Sequence, residues 1–141
     1  MPTLEDAIAL AADAHRGQRD KSGQPYILHP LRVMMRCQTE PQRIVAVLHD
    51  VVEDTGRSFD DLRELGYPDE IIKALDCLTK RDGEPYDAFV ERAASDPIAR
   101  VVKIADIEDN MDLRRLPSVA DKDVERIGRY VRGWWRLQEK Q

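Results

Sequence analysis

Apolar residues recur at helical spacing along nearly the whole chain. Leu4, Ala7, Ile8, Ala11, Ala14 and His15 follow Thr3 and Asp6, a pair spaced for a capped start, and stop signals end this first helix near Gly17. The segment GQRDKSGQPY is polar and glycine-containing, so it reads as a loop; Pro30 then suits the first position of a second helix, with His29 at the junction. Pro41 can start a third helix carrying Ile44, Val45, Val47, Leu48, Val51 and Val52, a set too apolar all round for a surface position. This central helix is expected to run on through VLHDVVEDT without a break.

Further along, Ser58 and Asp61 mark the cap of a short helix ended by Gly66, and Pro68 opens another carrying Ile71, Ile72, Leu75 and Leu78. RDGEP interrupts the pattern. A helix through YDAFVERAAS precedes Pro97, and IARVVKIADIEDNM then repeats the strongly buried pattern until Pro117. The last helix, from near Ser118, places Val124, Ile127, Val131, Trp134 and Leu137 on one apolar face and Arg129, Arg132 and Arg136 on others. No strand pattern, repeat or low-complexity tract stands out, so the fold class expected is all-α, a compact helical bundle.

Composition narrows the function. At 141 residues one domain is the simplest organisation, large enough to bury roughly two-thirds of its unfolded surface. The 42% hydrophobic and 35% charged fractions describe an ordinary globular chain, with no apolar run near the roughly 20 residues that span a bilayer and no evident signal peptide, which points to a cytoplasmic protein. Cys37 and Cys77 lack the spacing of a zinc knuckle or a disulfide scaffold and are read as reduced packing residues. A net charge of −5 disfavours nucleic-acid backbones and anionic membranes but permits a local basic pocket for a small phosphorylated ligand.

The two most buried-looking helices each carry carboxylates, and buried carboxylates need cations or donors. On the first, His49 and Glu53 are four apart, Asp50 and Glu53 three, and Asp50 and Asp54 four; on the second, Asp106 and Asn110 are four apart. An imidazole among carboxylates suits a borderline or hard divalent ion such as Mn²⁺, Fe²⁺, Zn²⁺ or Mg²⁺. A lone His-Asp pair on a helix is more often a capped or salt-bridged surface pair, but here it stands in an ordered series: His29-Pro30, His49-Asp50, Glu53-Asp54, Ala105-Asp106.

With that series the sequence resembles the HD superfamily of metal-dependent phosphohydrolases. More narrowly, AHRGQRDKSGQPYILHP, LHDVVEDT, LTK and VVKIADIEDNM are similar to the hydrolase domain of the bacterial RelA/SpoT alarmone enzymes and their small single-domain relatives, over residues 7 to 116. The resemblance implies a single buried metal site with His29, His49, Asp50 and Asp106 as ligands and Mn²⁺ as the preferred ion. It implies that Glu53 and Asp54 activate or orient the attacking water, because a metal lowers the pKa of bound water and a nearby carboxylate relays the proton. It also places Lys21 in a phosphate-binding loop and Asn110 beside ribose or phosphate oxygens. Ser22, Gly23, Pro25 and Tyr26 are expected to shape that loop, and His15 to be a hydrogen-bonded core residue.

Two departures from the family pattern bear on specificity. Where the alarmone hydrolases carry an arginine associated with stacking on guanine, this chain has Asp20, with Arg19 one place earlier as the possible substitute. Ile107 and Leu113 stand where the family has an arginine and a threonine. The resemblance therefore implies a guanosine-3′,5′-bis(diphosphate) 3′-pyrophosphohydrolase. The departures leave open an HD phosphohydrolase for a different nucleotide or phosphate ester, and a non-catalytic nucleotide-binding module is the rival from another class. Trp134 and Trp135 cannot share one core face, and either make a homo-oligomer contact or are surface aromatics.

Overall fold

The computed structural model describes residues 1–139, and the described residues form an all-helical structure. In chain order the helices are α1 (Leu4–Ala14), α2 (Leu28–Met35), α3 (Glu40–Leu48), α4 (Val51–Asp54), α5 (Phe59–Glu64), α6 (Asp69–Cys77), α7 (Tyr86–Ala94), α8 (Pro97–Asn110) and α9 (Asp121–Gln138), with a 3₁₀ turn at Leu113–Arg115 before α9. The starts follow from local chemistry. Thr3 with Asp6 and Ser58 with Asp61 close reciprocal capping boxes, Thr39 and Gln42 do the same ahead of Pro41, and the Asp96 carboxylate accepts from the N–H groups of Ile98 and Ala99 in front of α8.

α3 is the axis of the fold. Its five consecutive residues Ile44 to Leu48 are at most 1% exposed, and the helix packs against α1, α2, α6 and α8. A smaller cluster forms where Val90 and Ala94 of α7, Ile107 of α8 and Leu137 of α9 meet, with Tyr86, Tyr130 and Trp134 packed on it. A cavity is lined by residues of α2, α4, α7, α8, α9 and the loop before α2.

The expected central helix is broken. His49 and Asp50 form a turn between α3 and α4, with Asp50 at φ −101° and ψ 0°. The cause is a competition for one acceptor. The Ala46 carbonyl, which the Asp50 N–H would take in a continued α-helix, instead accepts the His49 ring Nδ1–H at 2.6 Å and the His49 backbone N–H at 3.5 Å. The imidazole thus takes over a helical carbonyl, and the chain turns. His49 and Glu53 are therefore not on one continuous helix, whereas Asp50 keeps its helical relation to Asp54, whose N–H bonds the Asp50 carbonyl at 3.0 Å.

The inner face of α9 also differs from expectation. Val124 and Val131 are exposed, and the buried positions are Asp123, Gly133 and Leu137, flanked by Ile127, Tyr130 and Trp134. Gly133 sets this rotation: a Cβ there would lie 3.1 Å from the Tyr86 hydroxyl and 3.3 Å from Ile107 Cδ1, so a side chain would prop the helix off α7 and α8. Arg132 and Arg136 reach acidic partners on α7, Asp87 and Glu91, and Trp135 stays exposed.

The segment between α6 and α7 is fastened by Arg92. Its guanidinium donates twice to Glu84, at 2.6 and 2.8 Å, and to the carbonyls of Asp76 and Thr79 at 2.8 Å. The Arg92 hydrogen bonds hold the Glu84 carboxyl down to about 2. Because the folded value lies below the ordinary 4.5, this stabilisation is complete above pH 4.5 and is lost as pH falls towards 2. In melts taken from pH 7 to pH 2, Glu84→Gln is expected to be less stable than wild type by about 1–3 kcal/mol at neutral pH. The gap should close through the acid interval; a gap independent of pH would reject the assignment.

Candidate metal centre

Four elements converge on one end of α3. His29 comes from the first turn of α2, His49 and Asp50 from the break after α3, and Asp106 from the third turn of α8. His29 Nε2 lies 2.9 Å from Asp106 Oδ1 and 3.8 Å from Asp50 Oδ2; His49 Nε2 lies 3.0 Å from Asp50 Oδ2 and 3.5 Å from Asp106 Oδ1. Both imidazoles and Asp106 are buried. The sequence-derived set is brought together, across a helix break that the spacing did not anticipate.

The chemistry of this cluster calls for a cation. His49 spends its Nδ1–H on Ala46, which leaves Nε2 buried without a hydrogen-bond partner and aimed between two carboxylates. A lone pair facing anions is repulsive unless a positive charge lies between them. Burial on its own would lower the His49 imidazole, but the adjacent negative charges of Asp50 and Asp106 outweigh it and hold it well above the usual histidine value. For Asp106, burial would raise the carboxyl; the Lys103 ammonium and the bonds from His29 and His49 keep it well below the ordinary range. The cluster favours positive charge at the imidazoles, and a divalent ion at the same point would supply that charge in place of protons. The donor set, two imidazole nitrogens with carboxylate oxygens, fits such an ion.

Asp50, Glu53 and Asp54 each offer an oxygen within 4.8 Å of the others. Glu53 is fixed from outside α4, because its Oε1 accepts the backbone N–H of Lys80 at 2.8 Å. Asp54 is anchored through its carbonyl, which accepts from Gln18 Nε2 at 2.9 Å. Desolvation and the charges of Asp50 and Glu53 push the Asp54 carboxyl up to about 6, the property of a group able to take or give a proton near neutrality.

The centre forms the floor of a cavity of about 530 Å³, within the roughly 300–1,000 Å³ common for small-molecule sites. Arg19 and Lys21 of the loop before α2, Asn110 beside Asp106, and Arg126, Arg129, Tyr130 and Tyr86 of α9 and α7 line it, with Lys21 and Arg126 both near Asp123 Oδ1, at 3.7 and 3.9 Å. Asn110 Nδ2 donates to Asp106 Oδ1 at 3.2 Å, and Arg19 donates to the Gly23 carbonyl at 3.2 Å. Among the described residues no helix is long and apolar enough to cross a membrane.

No family model matches the chain. Among curated proteins it is 38% identical over 125 residues to a GTP pyrophosphokinase of Streptomyces coelicolor, a match covering 79% of this chain and 15% of that one. It is 33% identical over 141 residues to the bifunctional (p)ppGpp synthase/hydrolase SpoT of Escherichia coli, covering 89% of this chain and 20% of that one. A solved structure of a metazoan ortholog of SpoT that hydrolyzes ppGpp matches with a TM-score of 0.78 at 26% identity, over 97% of this chain and 86% of the other. The fold is that of the SpoT-like HD hydrolases. This chain spans 15 to 20% of the length of the two curated relatives.

Within the SpoT-like fold the departures take on physical meaning. Asp20 lines the cavity, and its Oδ1 accepts from Ser22 N, Ser22 Oγ and Gln24 N at 2.8–2.9 Å, closing the loop on itself. Ile107 is fully buried against α9 and does not line the cavity, whereas Leu113 does. His15 is buried, with Nδ1 2.7 Å from Gln18 Oε1 and Nε2 unpartnered, and lies outside the cavity lining.

Sequence reasoning gave Lys103 and Tyr26 no part in the site's chemistry. Lys103 is buried with Nζ 3.2 Å from Asp106 Oδ2 and 4.3 Å from the Phe89 ring centre, a cation held by both an anion and a π-face. Tyr26 donates its hydroxyl to Asp50 Oδ2 at 2.5 Å, and burial together with the Asp50 charge raises that hydroxyl far above an ordinary phenol, so it remains a donor. The signal for Tyr26 was its place three residues before His29 at the end of a loop, which lets one turn deliver both side chains. Tyr26→Phe is expected to leave the helices intact and to weaken divalent-ion binding by about tenfold, since Asp50 loses its orienting donor. Calorimetric titration of metal-stripped protein measures this, and unchanged affinity would remove Tyr26 from the site.

Proposed function

We propose that the chain is a Mn²⁺-dependent 3′-pyrophosphohydrolase of guanosine 3′,5′-bis(diphosphate)-type nucleotides. The observation that carries the reading is the unpartnered His49 Nε2 set against Asp50 and Asp106 in a cavity whose lining also includes Arg19, Lys21, Arg126 and Arg129. His29, His49, Asp50 and Asp106 would hold the ion. When bound, it would supply a lowered water pKa and a polarised phosphoryl oxygen. The names of the relatives support the substrate class, and that class supports a cytoplasmic placement, where nucleotide pools lie.

In this reading the chain's own residues divide the work. Glu53, steadied by the Lys80 N–H, orients the water; Asp54 takes its proton. Lys21 and Arg19 draw the phosphates to the loop before α2, Lys21 exchanging Asp123 for a phosphate, and Asn110 offers its amide to the ribose side while staying bonded to Asp106. Water attacks the phosphorus attached to the ribose 3′ oxygen, that P–O bond breaks, and pyrophosphate separates from the nucleoside 5′-diphosphate.

A second reading keeps this chemistry and changes the nucleotide. It is favoured by Asp20, a carboxylate in the cavity lining where the family has an arginine, and by Leu113, which presents an alkyl group to the cavity. The deciding experiment loads purified protein with Mn²⁺ and assays a nucleotide panel. Release of pyrophosphate from the 3′ position is expected. Cleavage of another nucleotide with none of the 3′-bis(diphosphate) would select the second reading, and stoichiometric Mn²⁺ with no turnover of any phosphorylated compound would select a binding module. His49→Ala is expected to abolish both Mn²⁺ binding and turnover, by at least 10³-fold in the latter, given what metal-assisted water activation contributes.

A further inference from the structure

His29 is gripped on both nitrogens. Nε2 faces Asp106 Oδ1 at 2.9 Å, and Nδ1 faces Asp109 Oδ2 at 2.7 Å, one helical turn further along α8. Asp109 is 1% exposed and binds two other elements at once, α2 and the 3₁₀ turn. Its Oδ1 accepts from Arg32 Nε of α2 at 2.8 Å, its backbone carbonyl accepts from Arg115 of the 3₁₀ turn at 2.9 Å, and the same guanidinium lies 3.6 Å from Oδ2. The two arginines offset the cost of burying this carboxylate.

We infer that Asp109 is the positioning residue for His29: it fixes the Nδ1–H tautomer and ring plane, so that the Nε2 lone pair is the one presented to a divalent ion beside Asp106. The inference rests on the metal-centre reading above and adds to it a residue outside the ligand set. A neutral imidazole has one N–H. With the carboxylate of Asp109 at Nδ1, the proton stays there and Nε2 is free to ligate. Without it, the ring satisfies Asp106 by carrying its proton on Nε2, the tautomer that cannot bind an ion at that point. Arg32 at the other oxygen and Arg115 at the backbone carbonyl hold Asp109 at more than one point, so its place beside His29 does not depend on Arg32 alone.

Asparagine cannot replace this group. Asp109 uses both oxygens as acceptors, one for Arg32 and one for His29, while an amide has a single acceptor and must turn an NH₂ towards one of two donors. Asp109→Asn is therefore expected to weaken Mn²⁺ binding by about 10–100-fold in calorimetric titration of metal-stripped protein. The Mn²⁺ concentration for half-maximal turnover should rise in parallel, with kcat recovering as the ion saturates. Arg32→Gln, which leaves the Asp109–His29 contact in place, is expected to change Mn²⁺ affinity by less than threefold. Should Asp109→Asn fail to fold around its stranded guanidinium, the double variant Asp109→Asn/Arg32→Gln removes that charge and is held to the same 10–100-fold expectation. Mn²⁺ affinity within threefold of wild type in the folded variant would overturn the inference while leaving the metal centre standing. An equal loss in Arg32→Gln would also overturn it, showing an ion-pair anchor only. A wild-type protein that binds no Mn²⁺ would overturn the metal centre itself, and this inference with it.

Discussion

Placing several carboxylates and two imidazoles at the buried end of a hydrophobic helix is tolerable only if their charges cancel, and most of the local architecture follows from that condition. Lys103 sits against Asp106, Tyr26 donates to Asp50, Arg32 and Arg115 close on Asp109, and His49 gives its Nδ1–H to a helical carbonyl so that Nε2 can face the anions. Each of these groups comes from a different element. Compensation of charge therefore does more than neutralise: it ties α2, α3, α8 and the loop before α2 to a common point. Apolar packing around Ile44 to Leu48 gives the fold its volume, and the polar cluster gives it a register.

The break at His49–Asp50 is part of this arrangement. A continuous helix would place successive side chains at a fixed 100° interval, which suits an amphipathic face better than a compact ligand sphere. By spending a backbone hydrogen bond, the chain bends His49 and Asp50 towards α8 and lets α4 carry Glu53 and Asp54 along the rim. The same carbonyl that loses its helical partner orients the imidazole, so the local loss is recovered in the site.

Much of this was legible in the residues. Thr3–Asp6 and Ser58–Asp61 act as caps, the apolar periodicity locates the buried helices, and the ordered series from His29 to Asp106 names side chains that do meet. What periodicity could not convey was competition between a side chain and the backbone, which sets the break at His49, or the absence of a side chain, which at Gly133 rotates α9 so that Val124 and Val131 face outward. Nor do contacts such as Tyr26–Asp50 and His29–Asp109, 24 and 80 positions apart, leave any local trace. Ile107 shows the converse: a position that looked like lost specificity is a packing residue between α8 and α9.

The loop before α2 has a consequence for how such a protein changes over time. Its frame is held by one residue, Asp20, whose single oxygen gathers three donors, together with the backbone bonds Tyr26 N–Gln18 O and Asp20 N–Gln24 O. Of the side chains that project from it, Arg19 adds one bond to the Gly23 carbonyl and Lys21 reaches out to Asp123. Asp20 shapes the loop, and the neighbouring Arg19 and Lys21 also line the cavity. A chain organised in this way can exchange the groups it shows to a ligand while keeping the loop that carries them, so that new preferences are open to it by single substitutions with the metal-facing end untouched.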